Sequence, residues 1–331
     1  MGIESRNIFS AREAAIDSRL TASLADNALV GAQKSADYSK PVTLAFVGDV
    51  MLSRAVGSEM KNKNNYDFPF LLADDFLKNS DITFGNLEGP ISDRGINQGS
   101  VYSFRDNPRA VEGLVYAGFD VMSLANNHIF DWGRDALMDT ATTLTANGIV
   151  PIGVGKNFDD ANSPAIIESG NLKVAFLAYT NLYPKSLDAG PASPGISEYD
   201  VKNIDSEVKK IKNNKQADIV VVSLHWGTEY ETHADEWQKD VAHLIIDAGA
   251  DVVVGHHPHV TQEVELYKNG VIFYSLGNFV FDQPFSQETT HGLAAKVEVS
   301  KDGLKSVQVY NVPINKFYQP EISTSSEFVM R

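Results

Sequence analysis

Five hydrophobic runs in this sequence each end on side chains able to bind a cation or move a proton. VTLAFVGD closes on Asp49, ITFGNLE on Glu88, DVMSLANNH on Asn127 and His128, DIVVVSLH on His225, and DVVVGHHPH on His257 and His259. Runs rich in Val, Ile, Leu and Phe that lead into helical patterns read as buried strands, and open α/β sheets gather their ligand groups at the carboxyl ends of such strands. The spacing therefore predicts one site assembled from five strand ends. Asp, Glu, Asn and His with no thiol make a hard-to-borderline donor set that suits Mn, Fe, Zn or Mg rather than a zinc-thiolate knot. The chemistry this set points to is metal-dependent hydrolysis.

The elements that position these groups are legible between the runs. Helical patterns cover roughly Ser53 to Lys61, Pro108 to Ala117, Arg134 to Asn147, Val201 to Asn213 and Ala234 to Ala248, with Asn147-Gly148 and Ala248-Gly249 as stop signals. Further strands are expected at Val150 to Val154, Lys173 to Tyr179, Val271 to Leu276 and Leu293 to Val299. The Pro-rich segment Tyr183 to Pro194 is a loop placed to border the site. Residues 1 to 40, dominated by Ser, Ala, Asp and Lys, read as a leader or tether with a weak helical stretch, and 41 to 331 as a single domain.

Each candidate also has a plainer reading. In an extended Gly255-His256-His257-Pro258-His259, residues i and i+2 share a side, so His257 and His259 face one centre while His256 faces away; the alternative is a His-rich surface turn. His225 precedes Trp226-Gly227, and a lone histidine is often a satisfied structural group. Asp49 is placed to cap a helix, and Glu88 before Gly89-Pro90 can be a solvated turn carboxylate. Asn126-Asn127-His128 can be a polar turn, or can supply an amide oxygen for a metal and an imidazole for proton delivery.

In order, Gly48-Asp49, Gly85-Asn86-Leu87-Glu88, Asn126-Asn127-His128, His225-Trp226-Gly227, Gly255-His256-His257-Pro258-His259 and Ser275-Leu276-Gly277-Asn278-Phe279 resemble the CapA family, also called PgsA, of poly-γ-glutamate biosynthesis proteins. That family belongs to the calcineurin-like metallophosphoesterases, and the resemblance runs from about Val42 to Phe281. It implies an α/β fold of four αββα layers, two central mixed sheets flanked by helices, around one or two divalent metal ions. By matching positions, Asp49 and His259 would bind the first metal, Glu88 or Asn86 would bridge, and Asn127, His225 and His257 would bind the second. His128 would be the general acid, with His256 in or beside the ligand set. Two positions depart from the wider superfamily: Met51 stands where a histidine is usual, and Asn86 where the bridging aspartate is usual. Arg105, Glu229 and Asn278 are candidate substrate contacts, a surface salt bridge being the alternative for Arg105.

Composition narrows the partners. A balance of 43 acidic to 28 basic residues, net charge -15, opposes nucleic acid and anionic membrane surfaces. No apolar run approaches the ~18 to 20 residues that span a bilayer, and the absence of cysteine excludes disulfides and thiol nucleophiles. Gly153-Val154-Gly155-Lys156 lacks the spacing of a phosphate loop. The resemblance implies work at the cell surface, with the family's usual membrane anchor absent here and a cytoplasmic place still open. It also implies polymer-synthase membrane components as partners and a phosphoester or acidic polymer as ligand. The function expected is metal-dependent hydrolysis in capsule or poly-γ-glutamate synthesis, or else a non-catalytic accessory role that binds acidic polymer. Replacing His259 or Asp49 by alanine is expected to lower bound metal, measured by elemental analysis, while circular dichroism remains that of the folded protein.

Overall fold

β-Branched and aromatic runs pair into two large sheets that face each other across an apolar layer. A computed structural model of the chain describes residues 40–322 and 324–329; apart from Lys40, the stretch read as a leader lies outside the described residues. In chain order the strands are β1 (Val42–Val50), β2 (Ile82–Leu87), β3 (Val121–Ser123), β4 (Val150–Ile152), β5 (Val154–Gly155), β6 (Ala165–Ser169), β7 (Leu172–Thr180) and β8 (Gly195–Ile196). They continue with β9 (Ile219–His225), β10 (Val252–His256), β11 (Val264–Tyr267), β12 (Gly270–Phe273), β13 (Asn278–Val280), β14 (His291–Ser300), β15 (Gly303–Pro313) and β16 (Thr324–Val329). The helices are α1 (Arg54–Lys63), α2 (Asp74–Lys78), α3 (Ala110–Ala117), α4 (Gly133–Ala146), α5 (Phe158–Asn162), α6 (Val201–Asn213) and α7 (Glu236–Ala248).

One sheet runs β16-β15-β14-β1-β2-β3-β4 with β13 beside β1, the other β11-β12-β10-β9-β7-β6. Three apolar layers follow. Val56 and Met60 of α1, Leu114 of α3 and Leu137 of α4 pack on the outer face of the first sheet. Between the sheets, Phe46 and Phe84 meet Phe176 and Phe273. Ile204 and Val208 of α6 and Ile245 of α7 cover the second sheet. The result is the expected αββα sandwich. Local chemistry sets the helix ends: the Asp200 carboxylate accepts from the Lys202 and Asn203 N–H groups to start α6, and Asp235 with Gln238 forms a capping box for α7.

One expected strand is two. The run Val150 to Val154 breaks at Gly153, whose φ of 77° is open mainly to glycine; β4 stays in the first sheet while β5 leaves to pair with β8. At β1 the neighbour changes mid-strand. Val42 to Val47 pair with β14, then the chain shifts register and Asp49 pairs instead with Asn278 of β13. A side chain at Gly48 would strike the Gly277 carbonyl, so the residue before Asp49 must be bare. Among the described residues no helix is long and apolar enough to cross a membrane.

Phe84 is fully buried, 5.9 Å from Phe46 and stacked 5.9 Å from Phe176. Phe84→Ala is expected to remove about 3–5 kcal/mol of stability, read as a lower denaturant midpoint in equilibrium unfolding.

Candidate metal centre

The register shift in β1 aims Asp49 at the ends of the neighbouring strands. Glu88 follows β2, Asn126 to His128 follow β3, His225 is the last residue of β9, and His256 to His259 follow from β10. These side chains converge. Asp49 Oδ1 accepts from Asn86 Nδ2 at 2.9 Å, and its Oδ2 accepts the His257 N–H at 3.2 Å and lies 3.4 Å from His259 Nδ1. His225 Nε2 is 2.9 Å from Asn127 Oδ1, and the His225 and His257 ring centres are 5.0 Å apart. Glu88 Oε1 lies 3.5 Å from His259 Nε2 and has no hydrogen-bond partner.

Potential ligand atoms fall into two groups, Asp49 with Glu88 and His225, and Glu229 with His257 and His259, each group's atoms lying within 4.8 Å of one another. His259, which the resemblance pairs with Asp49, stands between the groups, its Nδ1 3.4 Å from Asp49 Oδ2 and its Nε2 3.5 Å from Glu88 Oε1, and Glu229, a candidate substrate contact from its sequence position, stands with it. Buried oxygen and imidazole donors, with Glu88 Oε1 and His257 Nδ1 unpartnered, fit a divalent cation of the Mn, Fe, Zn or Mg kind. Asn86 ties the cluster together by donating also toward Glu88 Oε2 at 3.4 Å, and its Oδ1 accepts from Asn126 Nδ2 at 3.1 Å.

His256 does not face away. β10 ends at His256, which pairs across the sheet with His225 and so turns to the same side; its Nδ1 stands 3.2 Å from Asp49 Oδ1, out of line for a hydrogen bond. His257 and His259 reach the cluster by left-handed backbone, φ 99° and 58°, rather than by strand alternation. Such conformations at non-glycine residues each cost on the order of 1–3 kcal/mol and persist where surrounding contacts fix them.

His128 Nδ1 lies 2.8 Å from Asp131 Oδ2, which fixes the ring's tautomer and leaves Nε2 toward the cluster, 3.9 Å from Glu88 Oε1. The imidazole stacks on Phe104, ring centres 3.9 Å apart. Asp131 and Phe104 were missed as site residues, although Asp131 stands three places after His128 at the start of a helical pattern. Asn278 is buried and engaged: its Oδ1 is 3.0 Å from His259 Nδ1 and its Nδ2 donates to the Thr289 carbonyl at 3.0 Å, so it orients the His259 ring. Arg105 donates to the Ser92 carbonyl at 2.9 Å and lies over Trp132. Tyr183 and Leu187 of the expected bordering loop line a cavity of about 330 Å³ with Asp131.

Burial pushes His257 down to about 3 and His225 well below its usual value, so both imidazoles are neutral and ready to ligate at neutral pH. Burial also opposes charge on His259, but the Glu88 and Asp49 carboxylates override it and raise His259 to about 9. Burial lifts Glu88 well above the carboxylate range; it opposes charge on Asp49 too, yet contacts from His256 and His259 hold Asp49 well below that range. A raised histidine stabilises the metal-free fold fully below its ordinary 6.5 and loses that contribution as pH climbs through about 9. Ligation must strip the His259 proton. Manganese titrated into metal-free protein at pH 7 is therefore expected to release at least one proton, seen as a buffer-dependent binding enthalpy, with affinity rising toward pH 9.

A family model, bacterial capsule synthesis protein PGA_cap, matches residues 43–283. Capsule biosynthesis protein CapA of Bacillus anthracis is 34% identical over 289 residues, covering 84% of this chain and 68% of that protein. PGA biosynthesis protein CapA of Bacillus subtilis is 33% identical over 283 residues, covering 84% and 73%. A Mycobacterium tuberculosis protein named "Probable polyglutamine synthesis accessory protein" is 29% identical over 248 residues, covering 71% and 65%. With strand ends, donor set and relatives in agreement, the chain belongs to the bacterial capsule synthesis protein family, the CapA family its ordered motifs resemble.

Proposed function

We propose that this protein is a metal-dependent hydrolase of surface-polymer assembly, acting on a phosphoester at the Asp49, Glu88, Asn127, His225, His257, His259 and Glu229 cluster. The observation that supports the reading is the fully buried Glu88 Oε1, which has no hydrogen-bond partner and stands among imidazole donors, 3.5 Å from His259 Nε2, as a ligand oxygen would. A divalent cation bound there would neutralise charge on the reacting group and lower the pKa of a water. The chain's own residues do the remaining work. Neutral His225 and His257 bind, Asn86 and Asn278 hold Asp49 and His259 in line, and the His128–Asp131 pair presents Nε2 to the departing oxygen. We assign the activity to the cell surface beside polymer-synthase components, on the strength of the capsule and polyglutamine names of the relatives.

A second reading is favoured by Met51, whose Sδ accepts from Ser53 Oγ at 3.0 Å in the apolar core and gives the centre no ligand, and by the amide of Asn86 in place of a carboxylate. In that reading the cleft binds without cleaving, as an accessory component of the synthase. The two separate on purified protein. If the hydrolase reading holds, elemental analysis finds tightly bound transition metal without added metal, and His257→Ala loses both metal and phosphodiester hydrolysis. His128→Asn keeps the metal and loses about 10²–10⁴ in kcat. Metal-free, inactive wild type supports the accessory role.

A further inference from the structure

Every arginine among the described residues is committed to the protein. Arg54 forks onto the Asp282 carboxylate, Arg94 meets Asp139 at 3.2 Å, and Arg109 meets Glu112 at 2.8 Å. Arg105 donates to the Ser92 and Arg94 carbonyls, and Arg134 to those of Pro194 and Ser186. Guanidinium forks are the usual grip on the additional oxygens of a doubly charged phosphate, and among the described residues each one already has a partner within the protein.

The charges that bear most on Glu88 and His259 are those of Asp49, Glu229 and Asp131 and of each other. Glu229 is exposed, with a carboxylate oxygen within 4.8 Å of ligand nitrogens on His257 and His259, so the open side of the centre is acidic. That side also carries rings. Tyr230 lies 6.3 Å from His259, centre to centre, and edge-on to Phe285 at 5.2 Å, with 43% and 63% of their surfaces exposed. Left-handed backbone at Tyr230, φ 68°, and its N–H bond to the Pro258 carbonyl at 2.8 Å hold the ring beside the ligands. An exposed ring pair is a stacking face for a flat or apolar group.

Charge counting points the same way. Three carboxylates, Asp49, Glu88 and Glu229, already stand against the centre, so any cation bound there would be largely neutralised, and a dianion would add more excess negative charge than a monoanion. We propose that the centre takes a singly charged ester, a phosphodiester-like group, whose ring or apolar substituent lies against Tyr230 and Phe285, in preference to a doubly charged phosphomonoester. The inference rests on the hydrolase reading above and names its substrate class. In the reaction, a water oxygen bonds to phosphorus and gives up a proton to solvent, the bond from phosphorus to the substituent's oxygen breaks, and that oxygen leaves with a proton from His128 Nε2, which solvent then restores.

The test uses manganese-loaded protein at pH 8 and two readouts. Calorimetric binding of methyl phenylphosphonate, a monoanion with a ring, is compared with inorganic phosphate, and hydrolysis of p-nitrophenyl phenylphosphonate with that of p-nitrophenyl phosphate. The phosphonate is expected to bind roughly tenfold more tightly than phosphate, and the Tyr230→Ala/Phe285→Ala double variant to reduce that gap to about twofold with bound manganese unchanged. Phosphate binding as tightly as the phosphonate, neither anion binding, or a preference untouched by the double variant would overturn the proposal. Expected binding order without turnover of either nitrophenyl ester leaves the substrate class standing and removes the hydrolase reading instead.

Discussion

Two carboxylates sealed from water in one cluster are the constraint around which this protein is built. Asp49 and Glu88 are both fully buried, and burial of like charges is tolerated only with a positive partner close by. Without a cation that partner is the proton on His259, drawn by both carboxylates. A cation bound there would replace that proton, and the neutral imidazoles at His225 and His257 would add no repulsion to the exchange.

The scaffold meets that demand by ending strands in register. β1, β2 and β3 lie side by side in one sheet, β9 and β10 in the other, and the apolar layer containing Phe46, Phe84, Phe176 and Phe273 fixes one sheet against the other. Donor side chains from both sheets therefore meet at one edge of that layer with little freedom to drift. The neighbour switch along β1 is the local refinement. Its first part is held by β14 as ordinary sheet, while its last residues are handed to β13, whose Asn278 stands opposite Asp49 and binds His259.

Much of this was legible in the residues. The five apolar runs ending in Asp49, Glu88, Asn127, His225 and His257 gave strand ends and donor chemistry together, because a buried strand and a ligand beyond its last residue leave separate marks on a sequence. What failed depended on backbone angles. Period-two reasoning put His256 outside, since it treated the stretch to His259 as continuous strand; the strand stops at His256, and positive φ at His257 and His259 leaves no compositional mark. The same limit hid the break at Gly153. Phe104 and Asp131 escaped notice because a clamp on His128 is a tertiary contact between separate turns. β15 was missed although its buried and exposed residues alternate over much of its length, since polar residues interrupt its apolar pattern.

Asp131 has a consequence for how the site handles solvent. Its one carboxylate accepts the Ser100 hydroxyl at 2.7 Å and the Phe104 N–H at 2.7 Å while holding His128 Nδ1 at 2.8 Å. The segment bearing Val101 and Tyr102, both largely exposed, is therefore tied to the same anchor that aims the imidazole. If that segment peels away, the anchor loses two of its three partners and Phe104 withdraws from the ring. The path of that segment and the orientation of the imidazole are thus set by one carboxylate, so neither can shift without loosening the other.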